Sequence, residues 1–357
     1  MPLYMDLHKM PNITMDEAKK AHVADELLQG RYGVKYLQFW VNVEAGLLFC
    51  LVEGPDKTAV ENVHRHSHGH VACAVVEVDP SYCSLIMGNN IRIDQGLVHR
   101  ESGIMDPGTR FILTVSFYAK VADQSLKTRE SIINKFAKYN GRRIKLSGED
   151  SQVSVFDSAD EALKCAKDIQ AELSKNKKNT SFTIGLSAGQ PVTENNEFIE
   201  ETVRLAKRLS HIAEEGYVLV SPLFGELCND DVTKKGNKNV RLLTVAEESF
   251  ITQCCEILDE QISNESFSID TLVKAAGMSR AQLYRKIQAL TGKAPNTFIR
   301  DLRLEKARGL LKRKTGMFRR LLSKSVSVIH RTSQSASRSG LDVCLRSWLS
   351  YLFPFTL

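Results

Sequence analysis

Four histidines, His64, His66, His68 and His70, fall within seven positions, and His8 and His22 precede them. Six of the nine histidines therefore lie in the first seventy residues. Imidazole is a ligand for zinc, nickel and copper ions, and geometry selects among them more than raw affinity does. On a helix, His64 and His68 are i and i+4, share one face and can converge on one ion. The alternation of the four would suit a strand equally well, and a polar helix end with unconnected histidines would give the same string. A second set of residues able to do chemistry lies far along the chain, at Ser279, Arg280, Gln282, Tyr284 and Arg285. Arg can bind guanine bidentately and Gln can bind adenine, while Arg285 would serve equally well on a phosphate.

The elements that would position the histidines are readable from hydrophobic periodicity. His8 ends a strand predicted over Leu3–His8, and His22 lies within a helix predicted over Thr14–Gln29. Thr14 and Glu17 have the spacing of a capping box. Strand Val34–Val43, strand Leu47–Val52, helix Asp56–His68 and strand Ala74–Val78 complete a βαββαβ order, the ferredoxin-like arrangement. Residues 81–110, bounded and interrupted by Pro80, Gly88, Gly96, Gly103, Pro107 and Gly108, read as a linker with a short strand at Ile91–Ile93.

A middle block over 111–245 alternates strands and helices, including a helix over Asn196–Glu214. The block over 246–316 is helical throughout. In it Ile269, Leu272, Val273 and Ala276 form an apolar stripe stopped by Gly277. Ser279 then caps a helix whose Leu283, Ile287 and Leu290 face inward, which is the pattern of a helix-turn-helix. The expected fold class is α+β: a ferredoxin-like first domain over 1–80, an α/β middle domain and an all-α final domain. No internal repeat is visible.

Composition excludes several classes. At 357 residues, with 43% hydrophobic and 25% charged, the chain suits two or three soluble domains. No apolar run approaches a membrane span and no signal-peptide pattern opens the chain, so a cytoplasmic location and no membrane partner are expected. Eight cysteines occur without a C-x-x-C pair, and no disulfide framework is expected. Between Arg300 and Arg346 there are thirteen Lys/Arg against three Asp/Glu, on a chain whose total is +6. A basic segment beside a helix-turn-helix suits phosphate contacts, and a solvated basic face is the plainer alternative.

Three resemblances sharpen these readings. Residues 1–79 resemble small bacterial nickel-binding proteins of ferredoxin-like fold, through Met5–His8, Ala21–Asp25, Phe39–Pro55 and Val63–Gly69. The resemblance implies nickel, or another divalent transition metal, and makes His8, His22, His64 and His68 the ligand candidates. Cys50 also occupies a matching position but reads as core. The middle block, at Phe111–Phe117, Tyr139–Ala166, Thr183–Val192 and Glu201–Ser221, resembles class III nucleotide cyclases.

A working cyclase needs two metal-binding carboxylates. The first position falls where the chain offers only Thr114, Val115 and Ser116, and the second is displaced at Gly148, Glu149 and Asp150. The helix with Arg204 and Arg208 lacks the family's Asn. No enzyme activity is therefore expected, but a scaffold or dimerisation role that would make the chain a homodimer, with an effector of unspecified chemistry.

Residues Ile257–Gly316 resemble the AraC family of bacterial transcription regulators, which carries two helix-turn-helix units joined by a linker helix. The first unit would be Ile269–Thr291 and the linker helix Asn296–Arg313. The second unit is missing: 317–357 reads as a frameshifted tail, because restoring one nucleotide after the Gly316 codon gives a string with the expected pattern. The leading expectation is a sequence-specific DNA-binding regulator with a metal-binding or sensing first domain and impaired DNA binding. The alternative is a nickel-binding protein whose DNA-binding end has decayed.

Overall fold

The computed structural model describes residues 1–88, 91–119, 122–146, 151–175, 180–229, 232, 239–261, 264 and 267–312. The predicted frameshifted tail, 317–357, lies outside the described residues, as do Gly148, Glu149 and Asp150. The fold is α+β. It opens with β1 (Leu3–Lys9), α1 (Met15–Leu28), a 3-10 turn at Gln29–Tyr32, β2 (Lys35–Asn42), β3 (Leu47–Glu53), α2 (Lys57–Ser67) and β4 (Ala74–Glu77). These four strands pair antiparallel in the order β4-β1-β3-β2, which is ferredoxin-like. The capping box forms as the sequence predicts: Glu17 N donates to Thr14 Oγ1, and Thr14 N to Glu17 Oε2 at 2.8 Å. Asp56 caps α2 by accepting from Ala59 N.

Strand β1 has two faces of different character. Tyr4 joins the core beneath α1 and α2, and Asp6 and His8 share its face. Leu3, Met5 and Leu7 point the other way, into a second core. The period of two in a strand is what separates the polar pair from the apolar trio.

Residues 81–110, expected as a linker, are built differently. They carry α3 (Pro80–Met87), β5 (Ile91–Asp94) and β6 (Leu97–Arg100), and the hairpin extends the first sheet to six strands through β6 beside β2. Asp79 caps α3, with Pro80 in the first turn. Gln95 at φ 49 and Gly96 at φ 80 make the two-residue turn of the hairpin. Successive positive φ values match strand twist, so this glycine marks a hairpin and not a break.

The middle block runs β7 (Arg110–Ala119), α4 (Ala122–Lys138), β8 (Arg142–Ile144), β9 (Gln152–Phe156), α5 (Ala159–Lys175) and β10 (Thr180–Gly189). Its strands order as β10-β7-β9-β8, so this βαββαβ unit repeats the topology of the first without any visible repeat in sequence. Then come α6 (Glu200–Ile212), β11 (Val218–Val220), α7 (Pro222–Glu226) and β12 (Val240–Leu242). The helix predicted from Asn196 starts at Glu200 because Ile199 sits at φ 64, a left-handed backbone that cannot continue a right-handed helix.

The last block is helical: α8 (Val245–Gln261), α9 (Ile269–Ala275), α10 (Arg280–Thr291) and α11 (Pro295–Lys312). Gly277 at φ 63 turns the chain between α9 and α10.

Packing ties the blocks together through α6. Its Val203 and Ala206 lie in the core shared by Leu3, Met5, Leu7, Trp40 and Phe49 of the first sheet and Val153 and Val155 of the second. Its Leu209 and Ile212 lie in the core of the helical block with Leu283, Ile287 and Leu290. Among the described residues, no helix is long and apolar enough to cross a membrane.

Candidate metal centre

Five side chains from three elements meet beneath the first sheet. Strand β1 supplies Asp6 and His8, α1 supplies Asp25, and α2 with its C-cap supplies His64 and His68. Strand alternation puts Asp6 and His8 on one face. One helical turn brings His68 over His64, with ring centroids 5.5 Å apart. His64 is central: Nε2 is 2.9 Å from Asp6 Oδ2 and Nδ1 is 3.3 Å from Asp25 Oδ2. His8 Nε2 lies 3.5 Å from Asp6 Oδ1, and His68 Nε2 lies 3.3 Å from Asp25 Oδ1. The Tyr36 hydroxyl is 3.3 Å from His64 Nε2, and Cys50 N donates to Asp6 Oδ1 at 2.9 Å.

Asp6 and His64 are fully buried, and His8 and Asp25 are 2% exposed. The cluster thus divides into two triads with ligand-compatible spacing, Asp6–His8–His64 and Asp25–His64–His68.

Electrostatics follow from that burial. Burial alone would lower the His64 imidazole, but its hydrogen bonds to Asp25 and Asp6 outweigh this and push it up to about 10. Burial would raise the Asp25 carboxyl, yet hydrogen bonds from His64 and His68 hold it at about 2. Burial would likewise raise Asp6, but the charge of His8 and the hydrogen bond from His64 hold it well below the usual carboxylate range. Without a metal, the protonated His64 ring sets one positive charge between the two buried carboxylates. Burial also raises the Cys50 thiol well above its ordinary value, as befits a core residue and not a thiolate ligand.

The donor set fits a divalent transition metal. Imidazole and carboxylate suit nickel, zinc and cobalt, and donors around ions with bonds of about 2.1 Å lie roughly 3 Å apart. One observation is independent of donor type. Neither ring nitrogen of His8 has a hydrogen-bond partner, although both are buried. An unpaired buried polar atom is unfavourable, and a bound cation is one way to satisfy it.

Not all sequence candidates meet. His8, His64 and His68 come together; His22 lies apart, packed on Phe39 at 4.6 Å between centroids and facing Glu26 at 3.6 Å. The turn at Gly96 closes over it: a Cβ there would lie 2.2 Å from His22 Nε2. Burial depresses the His22 imidazole below its ordinary value. His66 stacks on Tyr32, and His70 donates its backbone N–H to His68 Nδ1 at 3.1 Å. Sequence reading missed Asp6 and Asp25. The signal was available in Asp6 lying two residues before His8 on a strand.

Comparison with known proteins bears on this segment. Residues 4–78 match the family described as nickel responsive protein SCO4226-like. The solved structure of SCO4226 from Streptomyces coelicolor A3(2) is 38% identical, aligning with 21% of this chain and 94% of that chain at a TM-score of 0.21. All five cluster residues lie in the SCO4226-like segment. A curated relative, histidine kinase P4 of Formosa agariphila, is 34% identical over 65 residues, and this chain spans 5% of its length. An adenylate/guanylate cyclase/hydrolase structure from Silicibacter pomeroyi is 28% identical, aligning with 35% of this chain and 82% of that chain at a TM-score of 0.31.

Outside the SCO4226-like segment, the cyclase-like positions are engaged in packing. Thr114 is buried, and Ser116 Oγ lies 2.9 Å from Ser151 Oγ and 2.8 Å from Ser210 Oγ. Arg208 lies 3.4 Å from both Glu256 and Asp259 of α8, and Arg204 pairs with Glu197 at 2.5 Å. Ser279, the N-cap of α10, and Arg280, Gln282, Tyr284 and Arg285 within it are all exposed, spread around the helix outside its buried Leu283–Ile287–Leu290 stripe. Ser279 and Gln282 form a capping box, Gln282 Oε1 accepting from Ser279 N at 3.0 Å. That bond occupies the Gln282 amide oxygen expected for base reading. Arg280 reaches Asp270 at 3.6 Å.

Proposed function

We propose that this chain is a metal-responsive DNA-binding regulator, with nickel or a similar divalent ion held by the buried histidine–aspartate cluster. The observation that carries the metal assignment is the convergence of three imidazoles and two carboxylates in buried triads, with a His8 ring that has no hydrogen bond and only a 3.5 Å contact to Asp6. The nickel-responsive description of the family matched by residues 4–78 supports the choice of ion. His8, His64, His68, Asp6 and Asp25 would be the ligands, and His22 would support the helix beneath the hairpin. The ion's charge would replace the His64 proton that lies between the two aspartates.

The DNA reading rests on the AraC-like pattern of Ile257–Gly316 and on the exposed Arg280, Tyr284 and Arg285 of α10. The middle block would transmit between the two ends and would not act on nucleotides. Calorimetric titration of the full chain with nickel, beside His64→Ala, tests the first half of the reading. Binding in the wild type and its loss in the variant are expected, whereas equal binding by both would remove the cluster from the site. Gel shifts on genomic fragments at about 0.15 M salt, near physiological ionic strength, test the second half. No preference over competitor DNA would leave a metal-handling protein without DNA output.

A further inference from the structure

We propose that the centre is binuclear, with the His64 ring bridging two divalent ions, one in each triad. This rests on the metal reading above and adds to it a stoichiometry and a bridging ligand. The geometry points this way because the two nitrogens of one imidazole face different partners. Nε2 faces Asp6 and the His8 side, while Nδ1 faces Asp25 and the His68 side. The lone pairs of one ring diverge, so a single ion cannot take both nitrogens. The triads share His64 and no other residue, and each adds one carboxylate and one further imidazole.

Two divalent cations against Asp6, Asp25 and a His64 that has lost both ring protons leave one net positive charge, and one cation beside a neutral His64 leaves none, so the divergent ring nitrogens and not the charge count favour two. A lone ion in the first triad would use Asp6 and leave the buried Asp25 to a hydrogen bond from His64 and His68. That arrangement is the alternative, with Asp25 acting only to orient the ring. On loading, each ion replaces one His64 ring proton, and both protons pass to the buffer. The ion of the second triad takes Nε2 of His68, which moves that ring's proton to Nδ1 and releases the His70 N–H now bound there.

The test uses the full chain with copper(II) and nickel(II) as probes. Two ions per chain are expected by calorimetry for each metal. In the dicopper form the isolated-copper paramagnetic resonance should be quenched by exchange coupling through the bridge. Asp25→Asn with His68→Ala should bind one ion and show the full, uncoupled copper signal. Two equivalents with uncoupled signals, or one equivalent in the wild type, would overturn the bridge while leaving a metal-binding protein. No binding of either ion would overturn both the bridge and the metal reading. The wild-type stoichiometry and resonance decide the matter even if the double variant fails to fold.

Discussion

His64 carries the chemistry of the first block because it stands between two buried carboxylates. Its folded value of about 10 lies above the ordinary 6.5, so the protonated ring contributes stability fully below pH 6.5 and loses it as the pH climbs to 10. Thermal melts of metal-free protein are therefore expected to show Tm falling across that window. His64→Gln should be less stable at neutral pH and nearly flat over the same range; an equally steep fall in the variant would assign the effect elsewhere. Asp25, held at about 2 against 3.8, contributes stability above 3.8 that fades as the pH drops toward 2. Metal reverses the alkaline trend: fewer protons compete at high pH, so nickel affinity should rise between pH 6 and 9. Histidine spacing pointed to His8, His22, His64 and His68, and the structure brings His8, His64 and His68 together with Asp6 and Asp25 while His22 packs on Phe39. Asp residues are common on surfaces, and only burial distinguishes Asp6 and Asp25.

At the scale of elements, close backbone approach fixes where α6 lies on the second sheet. A Cβ on Gly185 of β10 would sit 2.1 Å from Ala206 O and 2.5 Å from Ser210 N, both backbone atoms of α6. Gly185→Val should push the helix off the sheet and cost about 1–3 kcal/mol or more, read as a lower midpoint in urea denaturation. Gly30→Ala is the control, with no atom within 4 Å of the new Cβ, and should be neutral or mildly stabilising. Element types in the first unit were legible because its strands are short apolar runs bounded by turns and each helix carries its cap. The hairpin at Ile91–Arg100 was not, because its glycine-rich context resembles a break until the turn's φ values are known.

For the whole molecule, one buried ion-pair network and one helix join the parts. Arg110 is fully buried; it donates to Asp106 at 2.8 Å and to the Ile86 and Met87 carbonyls at the end of α3. Arg142 reaches Leu85, Ile86 and Asp157 from β8, on the far side of β9. Arg110→Met leaves Asp106 and two carbonyls buried without their partner, and should cost about 3–5 kcal/mol in chemical denaturation. Because β1 holds the proposed ligands Asp6 and His8 on one face and the inter-sheet core on the other, ion binding would have a physical route to α6. Nickel should slow amide exchange in β1 and in α6 by hydrogen-exchange mass spectrometry. Protection confined to residues 4–78 would show that the ion stabilises its own unit alone.

The sequence by itself determined the histidine concentration, the order βαββαβ of the first unit, the helical character of the last block and the glycine that turns α9 into α10. These depend on local spacing, which periodicity and capping record directly. Only the tertiary structure decided that Asp6 and Asp25 flank His64, that His22 stands apart, and that the supposed linker widens the first sheet. It also decided that the middle block repeats the topology of the first. Strand order and ligand convergence are set by contacts between residues far apart in the chain, Asp6 and His64 among them, and one-dimensional spacing carries no record of those contacts.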